Sequence, residues 1–167
     1  MSDSTVNTAT KPSFGLLLRD PVHLLAFGFG SGLAPRAPGT FGTLLALLLY
    51  IPLAQLSLVA YSALVLLAAL VGVWICGVSS RRLGVHDHGG IVWDEFVGLW
   101  IALWAVPYDW QWMVLGFVFF RIFDVIKPWP IRLLDRHVHG GFGIMVDDIV
   151  AGVLACLCVH AVIGAMA

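Results

Sequence analysis

The segment His86-Asp87-His88-Gly89-Gly90-Ile91-Val92-Trp93-Asp94-Glu95 sets two histidines and three carboxylates into ten residues of an otherwise apolar chain. A second acidic pair, Asp147-Asp148, stands before the last apolar segment as Asp94-Glu95 stands before an earlier one. A carboxylate in or near lipid needs a partner, a proton or a metal. Mg²⁺ takes hard oxygen ligands, a few carboxylates together with waters and phosphate oxygens. Neighbouring residues on a helix point about 100° apart, so one acid of each pair can ligate while the other supports it or acts as a base. Asp94, Glu95, Asp147 and Asp148 are therefore expected to form one Mg²⁺ site. The competing reading is ion pairing with local arginines. Adjacent acids at two membrane boundaries are costly without a cation, which favours the metal.

Positive groups stand within reach of these acids. Arg121, Asp124 and Lys127 follow one another at i, i+3 and i+6, within one helical face, and Arg132, Asp135 and Arg136 repeat the theme. Alone, such a face could simply be solvated. Beside a metal, Arg121 and Lys127 become candidate phosphate clamps. Arg36 and Thr40 are further candidates, because Pro38-Gly39-Thr40 starts a helix with Thr40 as a plausible N-cap. Gly28-Phe29-Gly30-Ser31-Gly32 could also offer backbone N–H groups to a phosphate, but it lacks the strand–helix–strand setting of a dinucleotide fingerprint. The H-x-H pairs, His86/His88 and His137/His139, suit phosphate or carboxylate hydrogen bonding better than zinc, since no cysteine accompanies them. His160, alone in the last span, is expected to be packed. Cys76 and Arg82 fit the C-x5-R spacing of cysteine phosphatases, but that chemistry needs a loop of amides around the phosphate, and Cys76 lies inside an apolar run.

The elements that must carry these groups are membrane helices. Of the 167 residues 60% are hydrophobic and 11% charged, against about 25% charged in a soluble domain. The mean hydropathy is +0.94. Residues 1–13 are polar, and Phe14–Leu18 is too short for a signal core, so no cleavable leader is expected. Cys76, Cys156 and Cys158 lie in apolar runs and read as packed thiols. Apolar helices are expected over Phe41–Gln55, Leu58–Val78, Ile91–Val106, Trp110–Ile126 and Val146–Ala165, with a short surface helix at Ile131–Arg136 and a glycine loop at His137–Met145. The fold class is thus all-α: a polytopic membrane helical bundle of about five spans with an interfacial N-terminal segment. Residues 1–20 form a polar, disordered tail, and 21–167 form one membrane-embedded domain.

If five spans alternate, all nine Lys and Arg fall on one side, which the positive-inside rule places in the cytoplasm. The same alternation puts Asp87, Asp94, Glu95, Asp124, Asp135, Asp147 and Asp148 on that side and Asp109 opposite. The strictly apolar stretches Phe96–Pro107 and Trp110–Phe120 reach under about 20 Å, short of a core of about 30 Å. The charges flanking them must therefore enter the boundary in a polar notch, a depth that suits a phosphorylated lipid headgroup.

Several blocks in order resemble the phosphatidylglycerophosphatase A family: Gly28-Phe29-Gly30-Ser31-Gly32-Leu33, Pro38-Gly39-Thr40, His86-Asp87-His88-Gly89, Trp93-Asp94-Glu95-Phe96, Lys127-Pro128-Trp129-Pro130-Ile131 and Asp147-Asp148-Ile149-Val150-Ala151-Gly152. The resemblance runs from about His23 to Gly152. It implies a bacterial inner-membrane enzyme that removes the terminal phosphate of phosphatidylglycerophosphate with Mg²⁺. In the expected direct hydrolysis, Asp94, Glu95, Asp147 and Asp148 hold the metal, and Arg36, Thr40, Arg121 and Lys127 hold the phosphate. A non-ligating carboxylate among Asp94, Glu95 and Asp148, or His86 or His88, takes the water's proton, and an aspartyl-phosphate is the other route. The partners are a phospholipid substrate and the bilayer, not nucleic acid, and oligomeric state is not legible. The alternative class is an ion- or proton-coupled transporter, whose acids usually lie at the midplane of repeated halves.

Overall fold

The structure, a computed structural model, describes residues 12–85 and 88–166. Those residues are helical, with no strand among them. The helices are α1 (Phe14–Arg19), α2 (Pro21–Ala26), α3 (Pro38–Leu53), α4 (Leu58–Leu83), α5 (Trp93–Ala102), α6 (Trp110–Ile126), α7 (Ile131–His137) and α8 (Gly140–Met166), with a 3₁₀ segment at Gly28–Leu33. Local chemistry sets many boundaries. Ser13 and Ser57 accept N–H bonds at the starts of α1 and α4, and Asp20 and Asp109 do so for α2 and α6. Gly84, at φ +68°, ends α4 behind Arg81 and Arg82.

Helix α5 is the centre of the bundle. It packs on α3, α4, α6 and most extensively α8. Phe96, Val97, Leu99 and Ala102 are fully buried. Its indoles tie it to its neighbours: Trp93 Nε1 donates to the Ala68 carbonyl and Trp100 Nε1 to the Ala46 carbonyl, each at 3.0 Å. Tyr61 Oη donates to the Trp100 carbonyl at 2.7 Å.

Small residues let the backbones close up. A methyl on Gly152 of α8 would collide with the Gly98 carbonyl oxygen of α5, and one on Gly98 would sit 2.9 Å from the Asp148 carbonyl oxygen. At the start of α8, a methyl on Gly141 would meet the α4 backbone at Val73 and Gly77. Helices whose outer faces meet lipid associate through such close contacts, because lipid gives them no hydrophobic drive.

The N-terminal helices form a bracket on α4. Arg82 donates to Asp20, and His23 Nδ1 is 2.8 Å from Ser79 Oγ. Burial opposes the Asp20 carboxylate, but the Val22 amide and the Arg82 guanidinium hold its pKa below the usual value.

Several expectations are corrected. Helix α8 starts at Gly140, not Val146, so the expected glycine loop is helical from Gly140 onward and Asp147-Asp148 lies inside the helix instead of before it. Close packing on α4 overrides glycine's poor helix propensity there. Helix α3 starts at Pro38, so Thr40 sits in its first turn and does not cap it. Helix α5 has only 10 residues, about 15 Å, half a bilayer core. Among the described residues, α4 and α8 are the helices with the length and apolarity to cross a membrane, so the count of five spans is not established. Phe14–Arg19 is helical, so the tail expected over 1–20 is ordered at that end; residues 1–11 lie outside the described part. His160 is exposed, with Nδ1 donating to the Cys156 carbonyl at 2.9 Å, and is not packed.

The close crossing of α5 and α8 makes a prediction. Gly152→Ala should destabilise the protein by about 1–3 kcal/mol through overpacking, read as a lower melting temperature in detergent. Gly164→Ala is the control, since nothing lies within 4 Å of a methyl there, and it should melt like wild type. A Gly152→Ala curve that overlays wild type contradicts the crossing.

Candidate active site

The α5–α8 crossing brings acids together. Asp94 and Glu95 occupy the first turn of α5, one turn before Gly98, and Asp148 lies one turn before Gly152 on α8. Carboxylate oxygens of Asp94, Glu95 and Asp148 all lie within 4.8 Å of one another. Asp148 is 3% exposed and Glu95 9%. Asp124, Asp94, Asp147 and Glu95 all act electrostatically on Asp148. Like charges this close inside a bundle are strongly unfavourable unless a proton or a cation sits among them.

Glu95 also lies against the start of α3. A methyl on Gly39 would collide with Glu95 Oε1 and sit 3.3 Å from Arg121 Nη1. Arg121 Nη1 donates to Asp124 Oδ2 at 2.6 Å and to Thr43 Oγ1 at 3.3 Å, and lies 3.7 Å from Glu95 Oε1. Thr43 in turn donates to the Gly39 carbonyl at 2.8 Å. One guanidinium thus ties α6 to α3 and faces the acidic trio.

Lys127 is placed differently. It follows α6 at a left-handed φ of +46° and donates to Asp135 Oδ1 and Asp147 Oδ2, both at 2.6 Å. Burial works against its ammonium, but the bonds to Asp135 and Asp147 outweigh it, so the pKa is raised and the charge retained.

The four acids expected to ligate together are therefore divided. Asp94, Glu95 and Asp148 meet, while Asp147 is held by Lys127. Arg121 reaches the site, whereas Lys127 is engaged by two carboxylates. Arg36 is exposed in the bend before α3, and Thr40 is half-buried in that helix's first turn. His88 Nδ1 accepts the Gly90 N–H at 3.0 Å, leaving Nε2 for other partners, and its ring centroid is 5.4 Å from that of Phe27. His86 and Asp87 lie outside the described residues. The amides of Gly30 and Gly32 both donate to the Phe27 carbonyl at 3.0 Å, so the expected glycine phosphate loop is closed on itself. Cys76 is fully buried within α4, 4.0 Å from Met145 Sδ, and Arg82 pairs with Asp20; no cysteine-phosphatase loop surrounds the thiol.

Sequence reading missed Thr43, the spacing roles of Gly98 and Gly152, and the direct Arg121–Asp124 pair. The i, i+3 spacing of Arg121 and Asp124 carried the last of these. Cavities flank the bundle among the described residues, two of them about 320 Å³ or larger. One of about 320 Å³ opens beside the start of α3, lined by Phe27, Gly32, Pro35, Pro38, His88 and Gly90. The other, about 350 Å³, lies by the α3–α4 and α5–α6 turns, and its Tyr50 and Tyr61 hydroxyls already donate to main-chain carbonyls. The first is lined by His88 and by Pro38, the first residue of α3, but by none of Asp94, Glu95 and Asp148.

Gly39 gives the local prediction. Gly39→Ala should displace Glu95 by about 1 Å, a misplacement that can lower turnover about 10²-fold. Helix content by circular dichroism should stay at the wild-type value. Full activity in Gly39→Ala contradicts the contact between the start of α3 and Glu95.

Known proteins agree with the residue blocks. The family model described as phosphatidylglycerophosphatase A matches residues 24–163. The chain is 55% identical over 141 residues to phosphatidylglycerophosphatase A of Escherichia coli (strain K12), covering 84% of this chain and 82% of that one. It is 45% identical over 157 residues to phosphatidylglycerophosphatase A of Haemophilus influenzae, covering 93% and 96%. A Bacteroides thetaiotaomicron protein, provisionally named a phosphatidylinositol-3-phosphatase, is 43% identical over 138 residues, covering 78% and 86%. No solved structure matches. With two apolar helices of bilayer length and relatives of this kind, the chain is a membrane protein. A model match over most of its length, and identities of this size over nearly whole relatives, establish that the chain belongs to the phosphatidylglycerophosphatase A family.

Proposed function

We propose that this enzyme is a Mg²⁺-dependent lipid phosphatase that hydrolyses phosphatidylglycerophosphate to phosphatidylglycerol and phosphate at the cytoplasmic face of a bacterial inner membrane. The observation that carries the reading is the meeting of Asp94, Glu95 and Asp148 from two helices, with oxygens within 4.8 Å, in a chain of this family. The substrate is taken from the names of the relatives. A transporter finds no support among them.

The donor set fits Mg²⁺: three hard carboxylate oxygens and no sulfur. Held by Asp94, Glu95 and Asp148, the ion would supply positive charge to the phosphoryl oxygens and lower the pKa of a water. The chain's own residues do the rest. Arg121 makes its contacts to Thr43, Asp124 and Glu95 through Nη1, so Nε and Nη2 remain as donors for phosphate oxygens. Asp124 and Thr43 fix that guanidinium before substrate arrives, which spares reorganisation during reaction. In this reading Thr40, in the first turn of α3, and Arg36, in the bend before it, are the further contacts to the phosphate. A carboxylate not engaged with the cation accepts the water's proton, while His88, whose Nδ1 already accepts the Gly90 N–H, carries its hydrogen on Nε2 and donates there to an oxygen of the substrate. The cytoplasmic orientation and five passes draw their support from the nine basic residues, which alternation puts on one side.

Phosphate release from the purified chain in detergent tests the proposal. Release from phosphatidylglycerophosphate should need Mg²⁺ and stop with a chelator. Asp94→Asn and Asp148→Asn should each lower turnover by about 10²-fold or more, and their double variant should be little worse than the worse single, as for groups acting as a unit. Undiminished activity in chelator removes the metal. Activity only on a different lipid phosphate replaces the substrate.

A further inference from the structure

Asp147 adjoins Asp148 and is 7% exposed, yet it is not one of the three acids that meet. Both of its oxygens are engaged. Oδ2 accepts from Lys127 Nζ at 2.6 Å, and Oδ1 accepts the Asp148 backbone N–H at 3.1 Å. Lys127 is itself held by Asp135 of α7 at 2.6 Å. The left-handed φ of +46° at Lys127 turns the chain off the end of α6, and its ammonium joins α7 to α8. A carboxylate one residue from the cation site is thus neutralised by a lysine anchored from a third helix.

We infer that Lys127 is a positioning residue that holds Asp147 off the cation site, so that the cation is bound by Asp94, Glu95 and Asp148 without a fourth carboxylate. This rests on the Mg²⁺ reading above. The lock has a chemical purpose. Mg²⁺ in phosphoryl-transfer sites keeps few protein carboxylates, leaving positions for water and phosphate. A fourth carboxylate would bind the ion more tightly, fill a position that substrate needs, and cancel charge meant for the phosphate. Asp135 keeps the lysine on this duty instead of leaving it free to swing to a phosphate.

The lock predicts a result that loss of a phosphate clamp or simple loosening does not. The probe is Mn²⁺, titrated into the full-length chain in detergent and followed by the electron paramagnetic resonance of the free ion. Lys127→Met should bind Mn²⁺ about fivefold or more tightly than wild type, the effect of one unmasked charge on a divalent ion several ångströms away even at water-like screening. Its turnover should nevertheless fall. Lys127→Arg keeps the charge and should bind within about twofold of wild type. Lys127→Met/Asp147→Asn should return the affinity to about the wild-type value, because the unmasked charge is gone. Asp147→Asn alone should weaken it by no more than about fivefold, the same single charge acting with the opposite sign, whereas loss of a true ligand would weaken binding about tenfold or more. That single variant keeps the inference falsifiable if Lys127→Met does not fold. Unchanged or weaker Mn²⁺ binding in Lys127→Met, or a tenfold loss in Asp147→Asn, overturns the lock. Absence of Mn²⁺ binding in wild type overturns the metal reading and the lock together.

Discussion

Asp94, Glu95 and Asp148 repel one another, and inside a helical bundle that repulsion is poorly screened. The backbone contact between α5 and α8 overrides it. Gly98 and Gly152 let the two helices touch, and each glycine lies one turn beyond its acid. The separation of the carboxylates is therefore set by main-chain geometry, not by flexible side chains. Arg121 and Lys127 do not offset Asp94, Glu95, Asp124, Asp147 and Asp148, and the proposed cation would balance what remains.

The rest of the bundle holds this crossing in place. Helix α5 is short and surrounded, and its Trp93 and Trp100 indoles are pinned to carbonyls of α4 and α3. The start of α3 closes over Glu95 because Gly39 has no side chain to keep it away. Helix α6 and the residue that ends it supply two positive side chains, Arg121 toward Glu95 of the acidic trio and Lys127 toward Asp147 beside it. The first turns of α8 lie on α4 at Val73 and Gly77, which fixes how Asp148 is presented to α5.

Much of this was legible in the sequence. The low charge and apolar runs gave an all-helical membrane chain, and the expected start at Leu58 and the expected bounds Trp110–Ile126 coincide with those of α4 and α6. The acidic pairs marked the site because acids beside apolar runs are expensive. What could not be read was register. Gly140-Gly141-Phe142-Gly143 has the composition of a loop, and only its packing on α4 makes it helical. Asp147 and Asp148 are the same residue type side by side, and nothing local says which one faces α5. Lys127 read as a phosphate clamp because its partners, Asp135 and Asp147, come from two other helices. Thr43 carries no motif at all; it matters only because α6 delivers Arg121 to it.

The central claim is that α5 and α8 together build one cation site. Anomalous diffraction from crystals grown with Mn²⁺ tests it most directly, since it locates the ion without reference to activity. The account predicts one peak within about 2–2.5 Å of carboxylate oxygens from Asp94 or Glu95 and from Asp148, an ordinary ligand distance for a hard divalent ion. A peak bound by α8 alone through Asp147, or one between Asp135 and Asp147, would contradict it.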